Sequence, residues 1–92
     1  MNDVRERHPR HIPCLFHMPD KIKLKLLVPM ESNMSWALGE ARRRWTGQVE
    51  ATDALFAFQG SRMCTGTMRI SAMDNQKPSP VVFHVHRECT FG

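Results

Sequence analysis

The chain has 92 residues, enough for one domain with one modest hydrophobic core. Its 41% hydrophobic and 24% charged residues are the proportions of a folded globular protein and exclude a wholly disordered chain. The net charge of +4 is too mild to name a partner by itself. The longest apolar stretch, Leu24 to Met30, is broken by Lys25 and falls far short of a bilayer span; Met1-Asn2-Asp3-Val4-Arg5 lacks the apolar run of a secretory leader. A cytoplasmic location is therefore expected. Cys14, Cys64 and Cys89 are odd in number, widely spaced and without a CxxC pair, which points to free thiols rather than a disulfide framework or a zinc site.

In chain order, residues 1–7 are polar and aperiodic and read as a mobile or loosely helical arm. Ile12-Pro13-Cys14-Leu15-Phe16 reads as a strand, interrupted or edge-like at Pro13, which has no N–H for a ladder. Met18-Pro19-Asp20-Lys21 is turn chemistry. Ile22, Leu24, Leu26 and Val28 then alternate with lysines, a period-2 strand with one buried and one wet face that Pro29 stops. The two strands and their turn make a hairpin.

The period then changes. Met34, Leu38, Ala41 and Trp45 form one stripe of an amphipathic helix. Ser32 or Asn33 can cap it, Glu31 sits by its positive end, and Arg42, Arg43 and Arg44 complement the dipole in its last turn. Gly47 suits a left-handed end after Thr46, while Gly39 inside the helix costs about 1 kcal/mol against Ala. Ala54 to Phe58 is a third strand, followed by loop residues Gln59-Gly60-Ser61. A short helix over residues 67–73, capped by Thr65 or Thr67, comes next. A polar loop from Asn75 to Pro80 precedes a fourth strand, Pro80 to His86, and Arg87 to Gly92 runs out as a tail. Hairpin, helix, strand, short helix, strand and tail make an α+β ubiquitin-like β-grasp: a four-stranded mixed sheet with one main helix and a short second helix. The domain organisation is an arm over 1–7, the domain over 8–86 and a flexible tail over 87–92.

Four segments resemble the autophagy ubiquitin-like modifiers that include GABARAP. Arg7-His8-Pro9-Arg10-His11-Ile12-Pro13 is similar to the basic, proline-flanked run leading into that family's first strand. Leu26-Leu27-Val28-Pro29 resembles the Tyr-Leu-Val-Pro exit from the second, Asp53-Ala54-Leu55-Phe56-Ala57-Phe58 the third strand, and Thr90-Phe91-Gly92 the aromatic-Gly end. They occur in the family's order over about residues 5 to 92. The chain departs from the family in having only about seven residues before His8-Pro9, where members carry two helices. It also carries His84 and His86 where aromatic or small residues are usual.

The resemblance implies a modifier conjugated through the Gly92 carboxylate, with Phe91 in the recognised end, to phosphatidylethanolamine. Glycine lets an extended backbone thread a narrow enzyme channel, and the six residues from Arg87 reach about 20 Å. No catalytic residue, cofactor or metal is expected in the chain itself. The implied partners are the pathway's activating and conjugating enzymes, a cysteine protease for processing or delipidation, the lipid, and adaptor or receptor peptides. Nucleic acid is not expected, and the chain is expected to be a monomer that moves from cytoplasm to autophagosomal membrane on lipidation.

The family also binds short acidic peptides that add a strand to the second-strand edge, placing an aromatic and an aliphatic side chain in two pockets. By position the first pocket involves Pro13, Leu15, Lys25 and Leu27, and the second Leu26, Val28, Pro29, Ala37 and Ala41. Lys23, Lys25 and Arg44 would attract the acidic flanks. Lysines on an edge strand can equally serve only to prevent aggregation. Ala37 replaces a large aromatic, Glu40 an aliphatic residue and Ser32 a leucine, so the second pocket is expected to be altered, shallow or polar.

His84 and His86 share a strand face, with Cys89 three residues on, but no four-ligand set follows from the spacing. Trp45 and Met34 lie on the helix stripe, and Trp36 lies off it, partly exposed. Two relatives of this reading stay open: the sibling modifier joined to a protein lysine, and an unconjugated β-grasp interaction module. A small basic nucleic-acid-binding domain is a further alternative, without a recognisable motif or a stacking set of aromatics.

Overall fold

A computed structural model describes residues 7–19, 21–50, 53–74 and 80–89. The elements are β1 (His11–Met18), β2 (Ile22–Pro29), α1 (Met34–Arg44), β3 (Asp53–Gln59), β4 (Arg62–Cys64), α2 (Ile70–Met73) and β5 (Val81–Cys89). They form one mixed sheet in the order β2-β1-β5-β3-β4, with α1 packed on one face against β2 and β3. The α+β ubiquitin-like class expected from the sequence is the one observed, with five strands where the pattern indicates four. The extra strand, β4, has three residues and closes a hairpin with β3 across Gly60, whose positive φ of 63° suits a residue without Cβ.

The hairpin β1–β2 follows the alternation closely. Ile12, Cys14, Phe16 and Met18 are buried on β1, and Leu26 and Val28 on β2, while Lys23 and Lys25 are exposed on the other face. Such alternation fixes register, because a one-residue slip would turn every core side chain outward. Its partners run from His11↔Pro29 to Met18↔Ile22 without interruption at Pro13. Pro13 is tolerated because the parallel pairing of β1 with β5 begins only at Cys14↔Val81. Before that point no ladder N–H is required on the β5 side, so the expected edge-like character is confined to one side of the strand.

The middle of the sheet is the parallel pair β1–β5, in which Phe16 faces Phe83. Both rings are fully buried and stacked at 5.4 Å with planes 21° apart. Against them lie Met34, Ala37 and Ala41 of α1, Trp45 just beyond it, and Ile70 and Met73 of α2. Trp36, as its position off the stripe implies, is 42% exposed.

Helix α1 begins where every early backbone donor has a partner. Asn33, rather than Ser32, is the cap: its Oδ1 accepts the Trp36 N–H at 2.9 Å and its carbonyl accepts from Ala37. The Met34 and Ser35 N–H groups donate to the carbonyls of Met68 and Gly66, both at 2.9 Å. This explains a correction to the second helix. Residues 65–68 form a turn, closed by the Met68 N–H on the Thr65 carbonyl, whose Gly66 and Met68 carbonyls serve α1; α2 covers only Ile70–Met73, and its cap is Arg69 without a side-chain bond instead of Thr65 or Thr67.

Strand β5 also exceeds the expected segment. Arg87, Glu88 and Cys89 continue the ladder opposite Leu55, Ala54 and Asp53, so the run after His86 starts inside the sheet. Residues 1–6 of the arm and 90–92 of the tail lie outside the described residues, as does most of the loop before β5.

The hairpin turn places Lys21 at φ 63°, a left-handed conformation that costs a residue with a Cβ about 1 kcal/mol relative to glycine. Lys21→Gly is expected to leave the fold intact and raise the thermal midpoint by about 4–8 °C per kcal/mol gained, read by circular dichroism melting.

Candidate functional site

The alternation that builds the core also sets up the open face of the sheet. On β2 the outward residues are Lys23, Lys25, Leu27 and Pro29, opposite His17, Leu15, Pro13 and His11 of β1. Strand β2 is the sheet's edge, paired only with β1 among the described residues, so its other backbone side is open to a further strand. Beside it is an apolar concavity of ≈ 280 Å³ lined by Pro13, Cys14, Lys25, Leu26, Leu27 and Pro80. Three of the four residues assigned to a first peptide pocket, Pro13, Lys25 and Leu27, therefore come together. Leu15 lies farther along β1 in register with Lys25. Cys14 and Pro80 were not foreseen. Cys14 points coreward by its parity, and Pro80 arrives through the β1–β5 pairing, which no local pattern reveals.

The second set is placed differently. Leu26, Val28, Ala37 and Ala41 are all buried in the core, the last three completely. The alanines let α1 settle on the sheet where a large aromatic would hold it away, so these positions form packed interior rather than an open pocket. Pro29 instead lines a separate concavity of ≈ 480 Å³ with Arg10, His11, Met30 and Glu31. Glu40 is ion-paired with Arg43 at 2.7 Å on the exposed helix surface. Arg44 is exposed in the last helical turn, as is the Glu40-paired Arg43, and Lys23 and Lys25 are exposed on β2.

A third arrangement fixes the start of β3 and the far end of β5. Arg42 reaches across from α1 and donates to the carbonyls of Asp53 at 2.7 Å and Glu50 at 3.0 Å. The Asp53 carboxylate, 6% exposed, accepts the Glu50 N–H at 3.0 Å and faces Arg87 Nε at 3.7 Å, while Arg87 also donates to the Gln48 carbonyl. A buried carboxylate is tolerated here because a cation and a backbone donor meet it. The sequence gives no sign of this network, because its members come from a helix, a loop and two strands.

Neither Cys14 nor Cys64 suits nucleophilic chemistry. Both are buried, and burial pushes the Cys64 thiol above its usual range, which leaves little of the reactive thiolate. Gly92 and Phe91, the residues assigned to conjugation, lie outside the described residues.

A five-stranded mixed sheet with one helix across a face, an open edge strand and the chain leaving along a central strand defines a ubiquitin-like protein. The likeness is to a particular branch of that class: a crystal structure of Trypanosoma brucei ATG8 superposes with a TM-score of 0.79 over 98% of this chain and 84% of that one, at 25% sequence identity. The fold is thus the ATG8-like ubiquitin-like fold of an autophagy modifier, which is not in general an enzyme fold. No family model and no curated protein matches the sequence.

Replacing Asp53 with alanine removes the partner of Arg87 and of the Glu50 N–H together. Asp53→Ala is expected to lower unfolding stability by roughly 1–3 kcal/mol, measured by urea denaturation, without loss of the folded signature.

Proposed function

We propose that this chain is an autophagy-type ubiquitin-like modifier that is conjugated through the Gly92 carboxylate and docks short acidic peptides on the β2 edge. The observation that carries the reading is the ATG8-like fold, combined with an edge strand bearing Lys23 and Lys25 beside the Pro13–Leu27 concavity. The chain would supply no catalytic group. An activating enzyme would adenylate the carboxylate, with release of pyrophosphate. A cysteine of that enzyme and then of a conjugating enzyme would carry it as a thioester, and the amine of phosphatidylethanolamine would displace the thiol. A cysteine protease would trim any precursor or reverse the lipid bond. In this reading the protein is cytoplasmic until lipidation places it on autophagosomal membranes.

At the edge, main-chain hydrogen bonds from an added strand would supply affinity, and the concavity would select the side chain. Because Ala37, Ala41 and Val28 are packed interior, docking relies on a single anchor, and the lysines attract acidic flanks. Conjugation to a protein lysine instead of the lipid is the second reading of the same end, and differs only in the acceptor amine.

The docking half is tested with a synthetic acidic peptide carrying one aromatic and one aliphatic anchor, titrated into ¹⁵N-labelled protein. Amide shifts are expected along residues 23–29, and Lys25→Glu should weaken binding about ten-fold, or about 1.4 kcal/mol. Alanine in place of the aromatic anchor should cost more than alanine in place of the aliphatic one. Shifts confined to other strands, or equal losses from both anchors, would contradict the single-anchor edge.

A further inference from the structure

The open face of the sheet carries histidines that the peptide edge and the conjugation end do not use. His84 and His86 stand two residues apart on β5, both exposed, and the parallel register sets His17 of β1 directly beside His84. The two rings are 5.5 Å apart between centroids, inclined at 63°. His17 Nε2 is buried and has no hydrogen-bond partner among the described residues. A buried imidazole nitrogen without a partner is rare and calls for an explanation.

From this geometry we infer that His17 and His84 form a two-imidazole site for a borderline divalent transition metal of the nickel, copper or zinc class. Imidazole nitrogens suit those ions, and with metal–nitrogen bonds of about 2.0–2.1 Å two rings around a tetrahedral ion stand about 5 Å apart. The observed spacing therefore needs only rotation of the side chains, with no movement of the strands. His17 Nε2, without a hydrogen-bond partner among the described residues, offers a lone pair to such an ion when the ring proton sits on Nδ1. Among the described residues no three potential ligands gather into a metal-holding group. The pair thus supplies two donors and leaves the remaining positions to water or to a donor from another molecule. His86, although on the same face, packs edge-on against Phe58 at 5.0 Å and is committed there. Lys23, in register with His17, opposes a cation, but its flexible stem lets the ammonium swing into water. Glu88 lies farther along the same face of β5.

The proposal is tested with Ni²⁺ alone, added to the full chain at neutral pH, followed by calorimetry and by paramagnetic broadening of ¹⁵N amide signals. One ion per chain is expected, with broadening centred on residues 16–18 and 83–85. His17→Gln and His84→Ala, each checked for an unchanged melting profile, should weaken binding at least ten-fold, because each removes one of two ligands. Lys23→Met should tighten it by removing the opposing charge. His11→Ala is the control, since His8 and His11 form a separate ring pair at 5.9 Å; it should leave the affinity unchanged. Absence of binding, binding that survives His17→Gln, or broadening centred on residues 8–11 would overturn the assignment.

Discussion

The pairing of β1 with β5 is the constraint on which the rest of the molecule depends. It joins segments from opposite ends of the chain, and its stacked Phe16 and Phe83 lie fully buried at the centre of the core. Burying two phenylalanine rings contributes roughly 1.5–3 kcal/mol each, large against the margin of a domain this size. With β5 on one side of β1, β2 takes the other and is the edge of the sheet among the described residues. The same pairing brings Pro80 to the concavity beside Lys25 and sets His17 against His84. The open edge, the concavity and the histidine pair all follow from one parallel ladder.

Much of the fold was legible because its signals are local. Alternation over residues 22–28 gave β2 its inward and outward faces, the 3.6-residue stripe gave α1, and proline and glycine marked the turns. The misses share a cause. Strand β4 has only three residues and too little pattern to register, and α2 is short because the carbonyls of Gly66 and Met68, around its expected start, accept from the first N–H groups of α1. The polar Arg87 and Glu88 give the end of β5 the look of a tail, yet they pair with β3, where Arg87 meets buried Asp53. Each depends on a partner distant in sequence, which periodicity cannot supply.

The candidate site divides along the same line. Pro13, Leu15, Lys25 and Leu27 enter through the family resemblance, and it is the observed strand parity and hairpin register that bring Pro13, Lys25 and Leu27 together. The second set is divided, with Leu26, Val28, Ala37 and Ala41 in the packed interior and Pro29 lining a concavity, because sequence position does not reveal packing depth. The result is an ATG8-like frame whose edge strand borders an apolar concavity at Lys25 and Leu27 and a separate one at Pro29. At the other end, Arg42, Asp53 and Arg87 tie α1, β3 and β5 into a fixed platform from which the chain proceeds toward Gly92.

The most direct measurement of the modifier reading is a conjugation assay. The protein is incubated with ATP, the activating and conjugating enzymes of the autophagy modifier pathway, and vesicles containing phosphatidylethanolamine, then resolved on a non-reducing gel. A thiol-sensitive adduct on each enzyme followed by a thiol-resistant lipid adduct, both abolished by Gly92→Ala, is the predicted result. Failure to form a thioester on either enzyme, with the fold intact, would contradict the account.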